Sequence, residues 1–249
     1  MEPPPAYGNF HMTFSIIGLI IVIGGAWLLR KANQRQNRII LFCVGAFLLI
    51  TEVYKQLFHY FVVCDHNMPW WIFPFQLCSV PMYLCLIAAF LKHEKLLKSI
   101  YNFLVYFNFL GGIATIALPQ SILIDYVTIT VHSLVWHLML IFLGCYLSFS
   151  KRAGTEKQDY ISSVKTFLVL CVIAFALNLA LWDVSGGTVN NFFIGPANTT
   201  LIIFADIAAK FGWYVSTALY IPTVCLGAYL IFLPFHFRTR HMAKIATPV

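Results

Sequence analysis

Charge is the scarcest property of this sequence. Asp, Glu, Lys and Arg make up 10% of its 249 residues, where soluble globular domains carry about 25%. A long polar segment is also missing, which leaves no separate soluble domain and points to one transmembrane domain over residues 1–249. The seven cysteines (Cys43, Cys64, Cys78, Cys85, Cys145, Cys171, Cys225) are odd in number and lie mostly inside apolar runs, with no CxxC pair. That argues against a disulfide framework and a zinc site, and no metal or cofactor is expected. The N-terminus MEPPPAYGNF lacks the basic start of a cleavable signal peptide, so the first apolar run reads as a retained anchor. No inverted repeat supports a transporter fold.

Apolar residues are abundant: 60% of the chain is hydrophobic and the mean hydropathy is +0.81. Runs of roughly 20 residues can cross about 30 Å of hydrocarbon as helices. They are read at about 12–29, 39–63, 71–91, 97–118, 124–149, 163–182 and 211–234. These runs are too long for barrel strands, and lipid offers the backbone no partners, so each satisfies its own hydrogen bonds as a helix. The expected fold class is an all-α integral membrane protein, a bundle of seven transmembrane helices.

The net charge of +7 is one-sided. Arg30, Lys31, Arg35 and Arg38 follow the first run; Lys92, Lys95 and Lys98 follow the third. Lys151, Arg152, Lys157 and Lys165 follow the fifth, and Arg238, Arg240 and Lys244 end the chain, so 14 of the 16 basic residues fall on one side. The positive-inside rule then places the N-terminus outside and the C-terminus in the cytoplasm. An odd number of spans requires opposite ends, in agreement. The basic loops are topology signals with some attraction to anionic lipid; no nucleic-acid partner is expected.

The outer connection, residues 183–210, is broken by Gly186-Gly187 and Gly195-Pro196. From Asn198 a cap-like Asn-Thr-Thr precedes an apolar stretch ending at Lys210, which predicts a short interfacial helix. Asn198-Thr199-Thr200 is also a glycosylation sequon on the outer side.

The run LLITEVYKQLFHYFVV, residues 48–63, carries Glu52, Lys55, Gln56 and His59 at spacings of three, four and seven, one face of a helix. Ionisable groups in a bilayer turn inward and find partners, because lipid cannot solvate them. Counting about 1.5 Å per residue from the outer ends puts Lys55, the Gln76–Ser79 stretch, His132 and Asn178 at one level in the outer half. Bland readings stand beside the functional one. Glu52 and Lys55 can pair for helix registry, His132 can make an interhelical hydrogen bond, and Cys78 can be a small packing residue. His137 lies about 140° around its helix from His132, which excludes a shared metal face. Trp70, Trp71, Trp182, Trp213 and Tyr214 form an interface belt. Pro74 and Pro81 bracket the Gln76–Ser79 stretch and predict a bend there.

The segment WWIFPFQLCSVPMYLCLIAAF resembles the opening of the third span in the YwaF family of bacterial seven-helix membrane proteins, a distant relative of transmembrane protein 164. Glu52, His132, the Asn191-Phe192-Phe193-Ile194…Pro196 stretch and Gly212-Trp213-Tyr214 are similar to further motifs of that family. The resemblance covers nearly the whole chain and implies a multi-pass protein of a bacterial plasma membrane. Transmembrane protein 164 is described as a phospholipid acyltransferase that uses a cysteine in a Pro-Cys-His segment. Aligned on Pro74, that cysteine falls at Phe75 and that histidine at Gln76, with Cys78 two residues beyond.

Two functions follow as expectations. In the first, the chain modifies lipids by acyl transfer, with Cys78 as thiol nucleophile and His132 or His59 as base. Glu52, Lys55, Gln76, Asn178 and Asn191 would hold the substrate. In the second, the same polar pocket binds or carries a small solute or lipid head group without chemistry. A purely structural subunit, its charges fixing helix registry, is the third. Membrane lipid is the expected partner, with a small-molecule ligand as the second; the oligomeric state is not legible.

Overall fold

The computed structural model describes residues 2–197 and 199–246, and its regular structure is helical throughout those residues. Asn198, with its sequon and expected cap, and the side chains of Arg240 and Lys244 lie outside what is described. α1 spans Asn9–Leu29, and α2 spans Gln34–Phe58 and continues as a π-helical turn over His59–Val63. α3 is Val80–Phe90; α4, Glu94–Phe103, runs through a π turn at Leu104–Asn108 into α5, Phe109–Ala117. α6 is Val127–Phe149, α7 Lys157–Ala180, α8 Phe204–Phe211 and α9 Trp213–Ala246. Six of these stretches are long and apolar enough to cross a membrane: Asn9–Leu29, Gln34–Val63, Glu94–Ala117, Val127–Phe149, Lys157–Ala180 and Trp213–Thr239.

The third expected span departs from its prediction. Residues 71–91 do not form one helix: Trp70–Ile72 is a 3-10 turn, 73–79 is irregular, and α3 begins only at Val80. Proline explains the start. Pro81 sits in the first turn of α3, where a missing N–H costs nothing, whereas Pro74 cannot continue a helix from before it. The segment nevertheless runs antiparallel along α2. Gln56 Nε2 donates to the Ile72 carbonyl at 2.7 Å, Gly45 faces Leu86, and the Phe42 and Phe90 rings meet edge to face at 5.8 Å. From the level of Gln56 to that of Phe42 is about 21 Å at 1.5 Å per residue.

Helix starts and ends have local causes. The side chain of Asn33 accepts from the Gln36 N–H, and the side chain of Gln36 accepts from the Asn33 N–H, closing a capping box before α2. Before α7 the Asp159 carboxylate accepts from the Glu156 N–H at 2.9 Å, since the groups at a helix start otherwise lack partners. α1 packs on α6, α2 on α3, α5 on α6, α4 on α7 and α8 on α9. The Gly18–Leu138 and Trp27–Phe149 contacts show that α1 and α6 run in the same direction. One side of the bundle therefore carries the start of α1 (the N-side below); the opposite C-side carries the 30–33, 91–93 and 150–156 connections.

Large apolar side chains face outward along the spans: Ile20 of α1, Ile50 of α2 and Val172 of α7 are each about two-thirds exposed (67%, 68% and 69%). In water such a surface would aggregate; in lipid it is the solvent-facing side.

Candidate functional site

Glu52 is the buried anchor of the N-side half, with 3% of its surface exposed. Its Oε1 meets Lys55 Nζ at 2.8 Å and accepts from Gln56 Nε2 at 2.7 Å. Both partners lie on its own helix, as the three- and four-residue spacings require. Gln56 then reaches Ile72, tying α2 to the irregular strand of chain that precedes α3. His59 is buried, and its Nδ1 lies 2.9 Å from the Lys55 carbonyl. A carbonyl can only accept, so Nδ1 carries the proton and Nε2 is left as the basic nitrogen.

The other flank of α2 meets α6. The Tyr54 ring lies 6.4 Å from that of His132, and Phe58 packs edge to face on Tyr126. At about 100° per residue, Thr51, Tyr54 and Phe58 point to α6, and Glu52 and Gln56 point to the third segment. Lys55 falls between, so the ion pair is aimed into the junction of α2, the third segment and α6. Trp136 closes the junction from the C-side: its Nε1 donates to the Cys78 carbonyl at 2.9 Å, and its ring lies 5.4 Å from His132. Cys78 and His132 thus both meet one indole, Cys78 through its backbone carbonyl. Among the described residues, no hydrogen bond joins the Cys78 thiol to a histidine.

Several buried polar atoms at this junction find no hydrogen-bond partner among the described residues: Glu52 Oε2, Gln56 Oε1, and both ring nitrogens of His132. Such atoms are expensive to bury alone.

Gln76, Asn178 and Asn191 go elsewhere, so the single hollow expected for all these residues is divided. Asn178 Oδ1 accepts from the Asn191 backbone N–H at 2.6 Å and from Asn191 Nδ2 at 2.9 Å, while its Nδ2 donates to the Asn191 carbonyl at 3.0 Å. Gln76 Nε2 donates to the Asn190 carbonyl at 3.1 Å, and its Oε1 accepts from Phe192 N–H at 3.1 Å. These side chains clasp a loop, residues 188–197, that dips from the N-side into the bundle. Non-helical backbone at membrane depth is tolerated where protein buries it; Asn191 and Phe192 are both fully buried. Phe192 stacks between Phe75, 5.8 Å away, and Phe167 of α7, 6.3 Å away, with Phe107 beyond at 4.7 Å from Phe167. Phe192 and Phe193 both hold φ of 58°, a left-handed conformation that non-glycine residues adopt only when surroundings impose it.

Sequence reasoning missed the C-side network. Asn37 Nδ2 donates to Tyr101 and Tyr146 donates to Asn37 Oδ1, at 2.8 and 2.9 Å. Asp159 pairs with Lys98 at 2.7 Å, and Asn102 Oδ1 accepts from Gly154 N–H at 2.8 Å. Arg152 donates to the carbonyls of Ala32 and Asn33. The one available signal was an Asp three residues after Glu156 at a helix start, which marks a capping box but not its partners. Groups of His, Cys, Asp and Glu arranged to hold a metal do not occur among the described residues.

An all-helical fold with six membrane-length helices and an apolar exterior defines a multi-pass membrane protein. A model of the TMEM164 family matches residues 6–233, and the chain belongs to that family. Searches of characterised proteins and of solved structures found no match.

Proposed function

We propose that this protein binds the polar part of a membrane lipid at the junction of α2, the third segment and α6. The observation that carries this reading is the set of buried atoms without partners around Lys55, on Glu52, Gln56 and His132. A lipid head group, ester or small polar solute supplies the donors and acceptors they lack. Asn178, Asn191 and Gln76 stand apart from the site and hold the 188–197 loop between the third segment and α7. The test is lipid mass profiling of the purified protein and of membranes expressing Glu52→Gln and His132→Ala variants. A bound lipid class lost in both supports the reading; profiles identical to the parent overturn it.

Acyl transfer is the second reading, favoured by Cys78 and His132 abutting the same indole and by the likeness to YwaF-type motifs. In it the Cys78 thiol attacks an ester carbonyl and passes its proton to His132. The departing lipid alcohol takes that proton; a second alcohol then attacks the thioester, the C–S bond breaks, and the alcohol's proton passes through His132 back to the Cys78 thiolate, with His59 as the alternative base. Phe75 and Gln76 stand where the resemblance aligns a Cys-His pair, and here they hold the Phe192 loop. A Cys78→Ser variant that leaves all acyl-chain profiles unchanged ends this reading.

The proposed topology has seven crossings, the third made by residues 70–90 descending some 21 Å against α2, with the N-side outside and the basic C-side in the cytoplasm. A plasma membrane is the proposed location. Binding without chemistry and transfer share this geometry, and the Cys78 variant separates them.

A further inference from the structure

A groove of about 640 Å³ runs along the lipid side of the α1–α6 contact. Phe10, Phe14, Ile17 and Ile21 of α1 and Leu138 and Met139 of α6 form its apolar walls. The close approach of Gly18 to Leu138 brings the two helices together midway and gives the groove its depth. Ile17 and Ile21 are 53% and 65% exposed, so the groove opens to the surroundings of the bundle; on a membrane-length helix those surroundings are hydrocarbon.

Its polarity is graded. Asn9 and Thr13 line the N-side end, and from Phe14 to Val22 the lining is without polar side chains. Asn9 to Val22 is about 20 Å at 1.5 Å per residue, more than one leaflet of a hydrocarbon core about 30 Å thick. With Gly18 level with Leu138 and Trp27 level with Phe149, His132 stands level with the first turn of α1. His132 also lies three and seven residues before Val135 and Met139, on the stripe of α6 that walls the groove. The groove therefore runs from mid-membrane to the level of His132, whose buried ring nitrogens lie behind its lining.

We propose that this groove seats one acyl chain of a phospholipid, its methyl end toward Val22 and its ester end beside Asn9 and Thr13, level with His132. Hydrophobic driving force is absent between two phases of hydrocarbon, so selection comes from dispersion contacts on two walls and from hydrogen bonds at the polar end. A flat helix face offers neither. The placement of the ester end rests on the lipid-binding reading above; the tail seat does not.

The experiment uses the full chain in phosphatidylcholine nanodiscs doped with a phosphatidylcholine carrying a diazirine at the end of one acyl chain. After photolysis, adducts are mapped by peptide mass spectrometry. They are expected to concentrate on residues 17–22 and Met139, above the level on Val169 and Val172 of α7, which are exposed outside this groove. Ile17→Trp or Ile21→Trp, at exposed positions that tolerate bulk, fills the groove and is expected to bring adducts down to the α7 level. Even labelling of α1, α7 and α9 overturns the seat while leaving the polar junction untouched, and so does enrichment that survives both tryptophans. Enrichment lost in the tryptophan variants supports the seat, even where Glu52→Gln and His132→Ala leave lipid profiles unchanged and so sink the junction reading instead.

Discussion

Glu52 and Lys55 neutralise each other within one helical turn, and that pairing decides how each tolerates substitution. Removing one partner of a buried pair strands a charge and costs about 3 kcal/mol or more, whereas replacing both with apolar groups of similar shape is often neutral. Glu52→Ala is therefore expected to lower the melting temperature in detergent sharply, and the Glu52→Gln, Lys55→Met double variant to recover most of the loss. A double variant as unstable as Glu52→Ala would refute the pairing as the source of the effect. The Lys98–Asp159 pair offers a contrast at the same distance scale. The Lys98 side chain is 54% exposed, and the buried Asp159 still accepts from the Glu156 N–H when Lys98 is removed, so its carboxylate is not left without a partner. Lys98→Ala is expected to shift melting far less than Glu52→Ala, measured side by side.

Among the elements, the 188–197 loop and the third segment depend on each other. Gln76 holds the loop by two backbone hydrogen bonds, and an unsatisfied buried backbone group costs about 1–3 kcal/mol. Gln76→Leu is expected to speed hydrogen exchange across residues 188–197 while leaving α4 and α6 protected; unchanged exchange in the loop would show that Gln76 is not its clasp. Phe192→Ala removes the middle ring of the Phe75–Phe192–Phe167 stack. Its expected cost is about 3–5 kcal/mol, the range for an aromatic ring deleted from a packed core, read as a lower melting temperature. The sequence signalled a break at Pro74 and Pro81; in the apolar stretch after Asn198-Thr199-Thr200 helix begins only at Phe204, as α8. The sequence carried no signal that the 188–197 loop enters the bundle, because Asn-Asn-Phe-Phe-Ile has the composition of a loop and of a core alike.

For the whole molecule, charge and burial agree on two unlike sides. The basic connections meet on the C-side, where Arg152 bridges to the 32–33 turn, while Asp65, Asp125 and Asp183 lie in N-side loops. With seven crossings, Cys64, in the connection after α2, is expected to react with a membrane-impermeant maleimide on intact cells. A C-terminal epitope is expected to become accessible only after permeabilisation. Labelling of Cys64 and the epitope from the same side would require an even number of crossings and overturn the proposed topology.

The sequence by itself determined the class of this protein, since apolar length and the hydrogen-bonding needs of the backbone in lipid leave no soluble alternative. It also set the one-sided charge and the single-face spacing of Glu52, Lys55, Gln56 and His59, which follow from helical period alone. Only the tertiary structure decided which neighbours those residues meet. Gln76 and Asn178 look equivalent to Lys55 by depth, yet their amides are consumed by a folded-in loop, because hydrogen-bond partners are assigned by long-range packing and not by position along a helix.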